Sequence, residues 1–404
     1  MSGLNETPRA NRIHVAFFGL RNAGKSTLVN AFTGQDIAIV SEVPGTTTDP
    51  VSKAMEILPL GPCLVTDTAG LDDVGDLGTM RVQKTLDVLA TTDIAVWVTA
   101  SAVGASDEIP SDFRKACAAR ATACLVYRRG DSVEDLKRKI AAVRLVDDSP
   151  GLLDGVVETG DRVVCVCPID ESAPKGRLIL PQVQVIRDCL DRHVACCVCQ
   201  PSELADCLAT ASAVPSMKTV VITDSQAFAV VDAAVRTARP SFAAPLVLTS
   251  FSILYARQKG DLPVYLKGLS AVANLPDGAT VLVAEGCTHH RQCNDIGTTK
   301  IPKALARLSG RNLDFVFSSG NAFSLERTDG KRIALVVHCG GCMLTRREVM
   351  RRIDACRAAG IPIVNYGILL AAANGLGLCE TAFARLKSCS TLADTPSLSG
   401  RSGA

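Results

Sequence analysis

The chain has 404 residues, a formal net charge of +2, 47% hydrophobic residues and only 4% aromatic ones. That balance offers neither a broad basic field nor many stacking rings, so nucleic acid is not an expected partner. No apolar run approaches the length of a membrane span, and the first dozen residues lack the apolar core of a secretory signal, so a cytoplasmic protein without membrane contact is expected. The length suits two or three domains. Seventeen cysteines in a long chain without a leader point to a reducing interior rather than a disulfide scaffold.

His14 to Phe18 reads as a short apolar strand. It runs into Gly19-Leu20-Arg21-Asn22-Ala23-Gly24-Lys25-Ser26 and then the helical Thr27-Leu28-Val29-Asn30-Ala31-Phe32. This is a phosphate-binding loop in its strand–loop–helix setting. Backbone N–H groups of the loop and the helix N-terminus suit phosphate oxygens. Lys25 should reach the outer phosphates and Ser26 should hold Mg2+. The expected nucleotide contacts are therefore Gly19, Asn22, Ala23, Gly24, Lys25, Ser26 and Thr27.

Leu64-Val65-Thr66 leads into Asp67-Thr68-Ala69-Gly70. An acid at that strand end holds Mg2+ through water, and the Gly70 N–H can sense the terminal phosphate. Between the two motifs lies Pro44-Gly45-Thr46-Thr47-Thr48-Asp49-Pro50, a loop suited to an ordered–disordered switch. Thr47 is the expected switch threonine completing the Mg2+ shell, with Thr46 and Thr48 as its neighbours in kind. Lys25, Thr47 and Gly70 are the expected catalytic set.

The base-reading segment departs from the usual Asn-Lys-x-Asp. After strand Ala123 to Tyr127 stands Arg128-Arg129-Gly130-Asp131. Asp131 can still accept two hydrogen bonds from a guanine edge, so GTP is expected over ATP. A last guanine loop is expected after strand Arg162 to Val166, where Cys167-Pro168 replaces Ser-Ala.

From about Lys175 the character changes. Gln182 to Arg192 and Leu204 to Ala211 read as helices. Thr219 to Thr223 and Leu246 to Thr249 read as strands, with Asp224-Ser225-Gln226 capping a helix through Ala234. Cys196-Cys197-Val198-Cys199 alternates like a strand. No catalytic constellation is evident, so spacing or dimerisation is the expected role.

The carboxy-terminal part is β–α again. A strand at Val281 to Ala284 delivers Cys287-Thr288-His289-His290-Arg291-Gln292-Cys293, and a strand at Ile333 to Val337 delivers His338-Cys339-Gly340-Gly341-Cys342. Three of the chain's five histidines fall in these two stretches. If the strands are parallel neighbours, Cys287 meets the Cys339/Cys342 turn. Cys3His is a common closed zinc set, and three thiolates with an exchangeable position suit an iron–sulfur cluster equally well. Spacing alone does not choose. Arg346 to Arg357 reads as an amphipathic helix with a solvated basic face, and the tail from about Thr391 as loose.

The amino-terminal motifs resemble GTPases of the TrmE–Era branch. In that branch the position of Asn22 holds potassium, and Leu71 stands where other GTPases carry a glutamine after Gly70. Nearly the whole chain resembles the HydF family, the GTPase that matures FeFe-hydrogenase. The likeness rests on the phosphate loop, Thr223-Asp224-Ser225-Gln226-Ala227-Phe228, Thr249-Ser250-Phe251-Ser252-Ile253-Leu254, the Cys-x-His…His-Cys-x-x-Cys pair, Ile296-Gly297, Lys300-Ile301-Pro302 and Asn365-Tyr366-Gly367.

The resemblance implies an α/β protein: a P-loop GTPase domain over 1–175, a small α/β dimerisation domain over 176–262 and an α/β iron–sulfur cluster domain over 263–390, with a flexible tail over 391–404. It implies a 4Fe-4S cluster on Cys287, Cys339 and Cys342, with His289, His338 or a nearby oxygen at the fourth iron; this sequence itself raises Cys293 as a local alternative. It also implies a homodimeric scaffold that takes a 2Fe precursor made with two radical-SAM maturases and hands it to apo FeFe-hydrogenase, with GTP, Mg2+ and K+ gating association. The competing expectation is an RNA-modification or ribosome-assembly GTPase with a structural zinc site.

Overall fold

The computed structural model describes residues 11–34, 51–71, 85–99, 109–145, 150–169, 176, 178–214, 217–286, 296–320, 323–326 and 330–375. The chain divides into two compact units, Met1–Asp148 and Ser149–Ala404.

The first unit is built on strands β1 (Ile13–Gly19), β2 (Val51–Ile57), β3 (Gly61–Asp67), β4 (Ile94–Thr99) and β5 (Ala123–Arg128). Their order is β2-β3-β1-β4-β5. Only the β2–β3 pair is antiparallel. Helices α1 (Lys25–Thr33), α2 (Ser111–Ala119) and α3 (Val133–Ala141) cover the sheet. Both faces are buried, so β1 and β4 are near-continuous apolar runs. Val15, Phe17, Val96 and Ile94 pack with Leu28, Phe32, Leu136 and Ile140 on one side. Ala16, Phe18 and Trp97 pack with Phe113 and Cys117 on the other.

The second unit holds two four-stranded sheets over one continuous core. The first is β7-β6-β8-β9, from β6 (Arg162–Val166), β7 (Ala195–Cys199), β8 (Thr219–Thr223) and β9 (Leu246–Ser250). The second is β11-β10-β12-β13, from β10 (Thr280–Ala284), β11 (Asp314–Ser318), β12 (Ile333–His338) and β13 (Ile363–Asn365). Every pairing in both is parallel. The helices are α4 (Leu180–Asp191), α5 (Leu204–Ser212), α6 (Phe228–Ala238), α7 (Phe251–Lys259), α8 (Leu262–Val272), α9 (Ile301–Ser309), α10 (Arg346–Ala358) and α11 (Tyr366–Ala373).

One expectation is corrected. Arg162–Val166 is not the closing strand of the GTPase sheet. It lies inside the second unit, paired with β7 and β8. Its Val163, Val164, Cys165 and Val166 are fully buried in a core that also takes Leu152, Leu153, Val156 and Val157. Burial on both sides needs flanking strands, and β7 and β8 provide them. Cys167-Pro168 therefore ends a strand of the second unit, and the boundary expected near residue 175 falls before Gly151. Asp224 also differs from expectation: it accepts from Gln182 Nε2 at 2.8 Å instead of capping α6.

Helix α7 is buried nearly all round through Phe251, Ile253, Leu254, Tyr255, Ala256 and Lys259. Ser250 caps it, its Oγ accepting from the Ile253 N–H at 3.2 Å. The helix packs against α4, α10 and α11. Helix α8 approaches β13 so closely that a Cβ on Gly268 would fall 1.9 Å from the Ile363 carbonyl oxygen.

Candidate functional site

In the first unit the chain turns from β1 into α1 through the phosphate loop. Gly19 is required by close approach, since a Cβ there would meet the Val98 carbonyl oxygen at 2.3 Å. Gly24 is the N-cap of α1 with φ 93°, a left-handed conformation that suits glycine. Asn22 adopts the same region at φ 56°. Lys25 is buried, and its Nζ donates to the carbonyls of Gly19 at 3.2 Å and Leu20 at 2.7 Å. Those bonds hold it across the loop that phosphate oxygens would enter.

Ser26 Oγ donates to Asp67 Oδ2 at 2.6 Å. Asp67 is fully buried, and its Oδ1 has no partner within the protein. Burial pushes its carboxyl up from the usual range, against the opposing pull of Ser26 and Lys25. An orphaned, buried carboxylate oxygen beside a serine hydroxyl is an oxygen donor set that fits a hard divalent cation. The Asp67 strand end is tied to the loop from both sides. Thr68 Oγ1 donates to the Phe17 carbonyl at 2.7 Å, and the Leu71 N–H reaches the Gly19 carbonyl at 3.3 Å. Gly70 sits between these two anchors. Thr47, with Thr46 and Thr48, lies outside the described residues.

Asp131 stands at the end of β5, where a base-reading acid belongs. Its Oδ2 accepts from the Arg128 N–H at 3.0 Å, and the Tyr127 hydroxyl donates to its carbonyl at 2.9 Å. One carboxylate oxygen is thus occupied in shaping its own turn.

In the second unit the strand ends of the β11-β10-β12-β13 sheet form a row. Ala284 is in register with Ser318 and with His338, and His338 with Asn365. Open parallel sheets place their sites at such ends. The turn Cys339-Gly340-Gly341-Cys342 begins there. Cys339 Sγ accepts backbone N–H groups of Gly286 at 3.1 Å and Gly341 at 3.4 Å. Gly341 has φ 67°, which lets the backbone curl around sulfur. Gly286 can lie against the turn because a Cβ there would strike Leu344 Cγ at 2.6 Å. The β10 end is therefore seated on Cys339 one residue before Cys287. Cys287, His289 and Cys293 themselves lie outside the described residues.

The two described thiols fit a metal-thiolate centre. Burial pushes the Cys339 thiol up to about 11, opposed by its N–H bonds, and raises Cys342 against the pull of Lys259. N–H bonds to a sulfur favour its anionic form, and such bonds tune thiolate-held clusters. Among the described residues no three metal-ligating side chains converge.

His338, expected with His289 as a candidate for the fourth iron position, lies behind the turn. Its Nδ1 faces the Cys339 carbonyl at 2.8 Å and its Nε2 faces Arg352 Nη1 at 3.3 Å. Both nitrogens are committed inside the protein. Burial, then Arg352, lowers its pKa to about 4. Arg352 corrects one expectation, that of a solvated basic helix face. It is fully buried, bonded to Glu348 Oε1 at 2.7 Å and to the Gly320 carbonyl at 2.7 Å. It thereby braces the ends of β11 and β12 against α10. Arg346 is likewise engaged, donating to the carbonyls of Gln258 at 2.7 Å and Gly260 at 3.2 Å.

Several supports were not visible in the sequence. Lys259 places Nζ against the turn's carbonyls. Ser252 sits between Gly340 and Gly367: a Cβ on Gly367 would fall 2.1 Å from its Oγ. Ser252 Oγ also meets Ser225 Oγ at 2.9 Å and Ser250 Oγ at 3.1 Å. Asn365 Nδ2 donates to the Cys339 carbonyl at 3.2 Å while its Oδ1 caps α11 through the Gly367 N–H at 2.8 Å. Gly297 makes room for the Glu285 carboxylate, which a Cβ would approach to 2.5 Å. The sequence signals for Ser225, Ser252, Gly297 and Asn365 were the quoted Thr-Asp-Ser-Gln, Thr-Ser-Phe-Ser, Ile-Gly and Asn-Tyr-Gly stretches, and Lys259 had none.

Residues 263–382 match the hydrogen maturase F tetramerization domain, residues 152–260 the hydrogen maturase F dimerization domain, and residues 14–127 the 50S ribosome-binding GTPase family. The chain belongs to the hydrogen maturase F family. The first of those matches contains the cysteine turn, and the second begins just before β6, in agreement with the sheet pairing.

Among curated relatives, the tRNA modification GTPase MnmE of Methylococcus capsulatus is 40% identical over 96 residues, 23% of this chain and 21% of that one. MnmE of Endomicrobium trichonymphae is 28% identical over 169 residues, 40% of this chain and 36% of that one. GTPase Der of Campylobacter curvus is 34% identical over 124 residues, 31% of this chain and 27% of that one. The chain thus spans only about a fifth to a third of the length of these relatives. A solved structure of Era from Aquifex aeolicus bound to GDP and AlF4− covers 76% of this chain and 93% of its own, with 14% identity and a TM-score of 0.25. At that score the likeness says nothing of this chain's detail. No helix among the described residues is long and apolar enough to cross a membrane.

Proposed function

We propose that this hydrogen maturase F chain is a GTP-hydrolysing scaffold. In this reading it carries a 4Fe-4S cluster on Cys287, Cys339 and Cys342 and delivers a 2Fe precursor to apo FeFe-hydrogenase. The observation that carries the reading is the cysteine turn at the row of strand ends. Cys339 already accepts two backbone N–H bonds, and the β10 end is bonded to that sulfur one residue before Cys287. When bound, the cluster would supply an iron site with an exchangeable position, for which His289 and His338 are the proposed candidates. The chain's own residues hold the thiols in shape: His338, Arg352 and Asn365 from behind, and Gly286 from the side.

In the first unit, Ser26 and Asp67 would hold Mg2+, which supplies charge neutralisation at the phosphates. Lys25 binds the outer phosphates, Gly70 offers its N–H to the terminal phosphate, and Thr47 closes the switch. Asn22 is the proposed potassium position, and hydrolysis equal in sodium and potassium would remove that role. Asp131 carries the preference for guanine, which equal competition by ATP would overturn. Hydrolysis gates association and release. The two matched association domains support self-association as at least a dimer, and the radical-SAM maturases and the apo-hydrogenase are the proposed partners, in the cytoplasm.

The test is the pair of variants C339S and K25A. C339S is expected to lose iron and hydrogenase maturation while keeping GTP turnover, and K25A to lose turnover while keeping the cluster. Loss of both activities in either variant would contradict two separable sites.

A further inference from the structure

Lys259 ends helix α7 and is only 6% exposed. Its Nζ donates to the carbonyls of Gly341 at 3.3 Å, Cys342 at 3.2 Å and Leu344 at 2.8 Å. Three acceptors call for three N–H groups. Only the protonated ammonium has three donors and no lone pair to waste. The Tyr255 ring centroid lies 5.1 Å from Nζ. No carboxylate of the described residues forms an ion pair with it.

A buried cation without an anion is costly, and proteins bury charges paired or against metal centres. Carbonyl dipoles satisfy the hydrogen bonds but supply no countercharge. The thiols of the turn, Cys342 and then Cys339, are ionisable groups close enough to act electrostatically on this ammonium. The contact is also reciprocal. Lys259 binds the 341–344 backbone, while Arg346, just beyond that segment, binds the carbonyls of Gln258 and Gly260 on either side of Lys259.

We propose that Lys259 is the positioning residue of the cysteine turn, holding the 341–344 backbone in its ligand-presenting shape and supplying the positive charge that balances a metal-bound thiolate pair. It lies within the segment matching the dimerization domain, so that domain reaches into the metal site. The proposal rests on the cluster reading above.

The test uses the full-length chain with K259M, K259Q and K259R, read in two ways. In the metal-free chain, amide hydrogen exchange over 339–345 is expected to quicken about tenfold or more in K259M and K259Q, the scale of losing a hydrogen bond to a charged group. Exchange in β8 and β10 should stay at the wild-type rate. After anaerobic reconstitution, both neutral variants are expected to show a more negative cluster midpoint potential and faster iron loss to a chelator. K259R should keep the wild-type potential. If K259M fails to fold by its melting curve, K259Q decides, because its polar amide is tolerated at a buried polar site yet lacks the charge and the third donor. Wild-type exchange and potential in the neutral variants would overturn the proposal. If the wild-type chain takes up no iron and sulfide, the cluster reading falls, and the exchange measurement still decides whether Lys259 holds the turn.

Discussion

The phosphate loop and the cysteine turn both prepare a place for negative charge, but they gather their support differently. The loop uses backbone N–H groups, one lysine and one serine from 19–26, and imports little more than Asp67 from the next strand. The cysteine turn supplies only its sulfurs and a left-handed glycine. Its shape is kept by Lys259 of α7, Arg352 of α10, Asn365 of β13 and the Gly286 N–H beyond β10. A local site survives transplantation between proteins as a motif. A distributed site depends on the whole second unit being folded.

The sharpest way to break this contrast is Glu348→Gln. Glu348 is buried and bonded to both Arg351 and Arg352. Removing its charge leaves Arg352 buried without its ion-pair partner, a loss of about 3–5 kcal/mol. Urea unfolding of the second unit should report it, with the phosphate-loop unit unaffected. The pH dependence has a definite sign. Burial would raise the Glu348 carboxyl, but its bonds from Arg351 and Arg352 hold it below the usual value. Its contribution is present above the unfolded carboxylate range, about 4.3, and is lost as pH falls through the lower folded value. Wild-type stability should therefore fall below about pH 4, and E348Q should lack that component.

Next in size is Lys25→Ala. Phosphate release should fall by about 10²–10³, the scale of one charge-stabilising donor, with the second unit's melting unchanged. A smaller effect is expected of Gly268→Ala. The new methyl must displace the Ile363 carbonyl, an overpacking cost of about 1–3 kcal/mol, and a drop in melting temperature measures it. The smallest is Asn365→Ala, which removes the cap of α11 for about 1 kcal/mol. N365A should also weaken iron retention, because the same side chain holds the Cys339 carbonyl. An N365A chain that melts lower yet retains iron normally would confine that residue to capping.

The sequence made the contiguous parts plain. The strand–loop–helix at 13–33, the parallel strands entering Cys339, and most helix and strand positions follow from apolar periodicity and motif spacing. Three things did not follow. The strand at 162–166 is apolar on both faces, and nothing in five residues says which sheet will flank it. The basic face of α10 shows arginines at solvent spacing, yet Arg352 is turned inward by Glu348 on the same helix and by the Gly320 carbonyl just beyond β11. Lys259 has no local mark at all, since its acceptors lie more than eighty residues away in the chain. Periodicity reads a residue against its own element, and these roles are fixed by other elements.

In the proposed function the turn at Cys339 and Cys342, with Cys287, holds an iron–sulfur cluster with an exchangeable position. The most direct measurement is anaerobic reconstitution with iron and sulfide, followed by metal and sulfide analysis and EPR of the reduced protein. The predicted result is about four irons and four sulfides per chain. The reduced 4Fe-4S signal should be absent in C339S and shifted by an added exogenous ligand. One tightly held zinc with no acid-labile sulfide would contradict it and leave the turn a structural metal site.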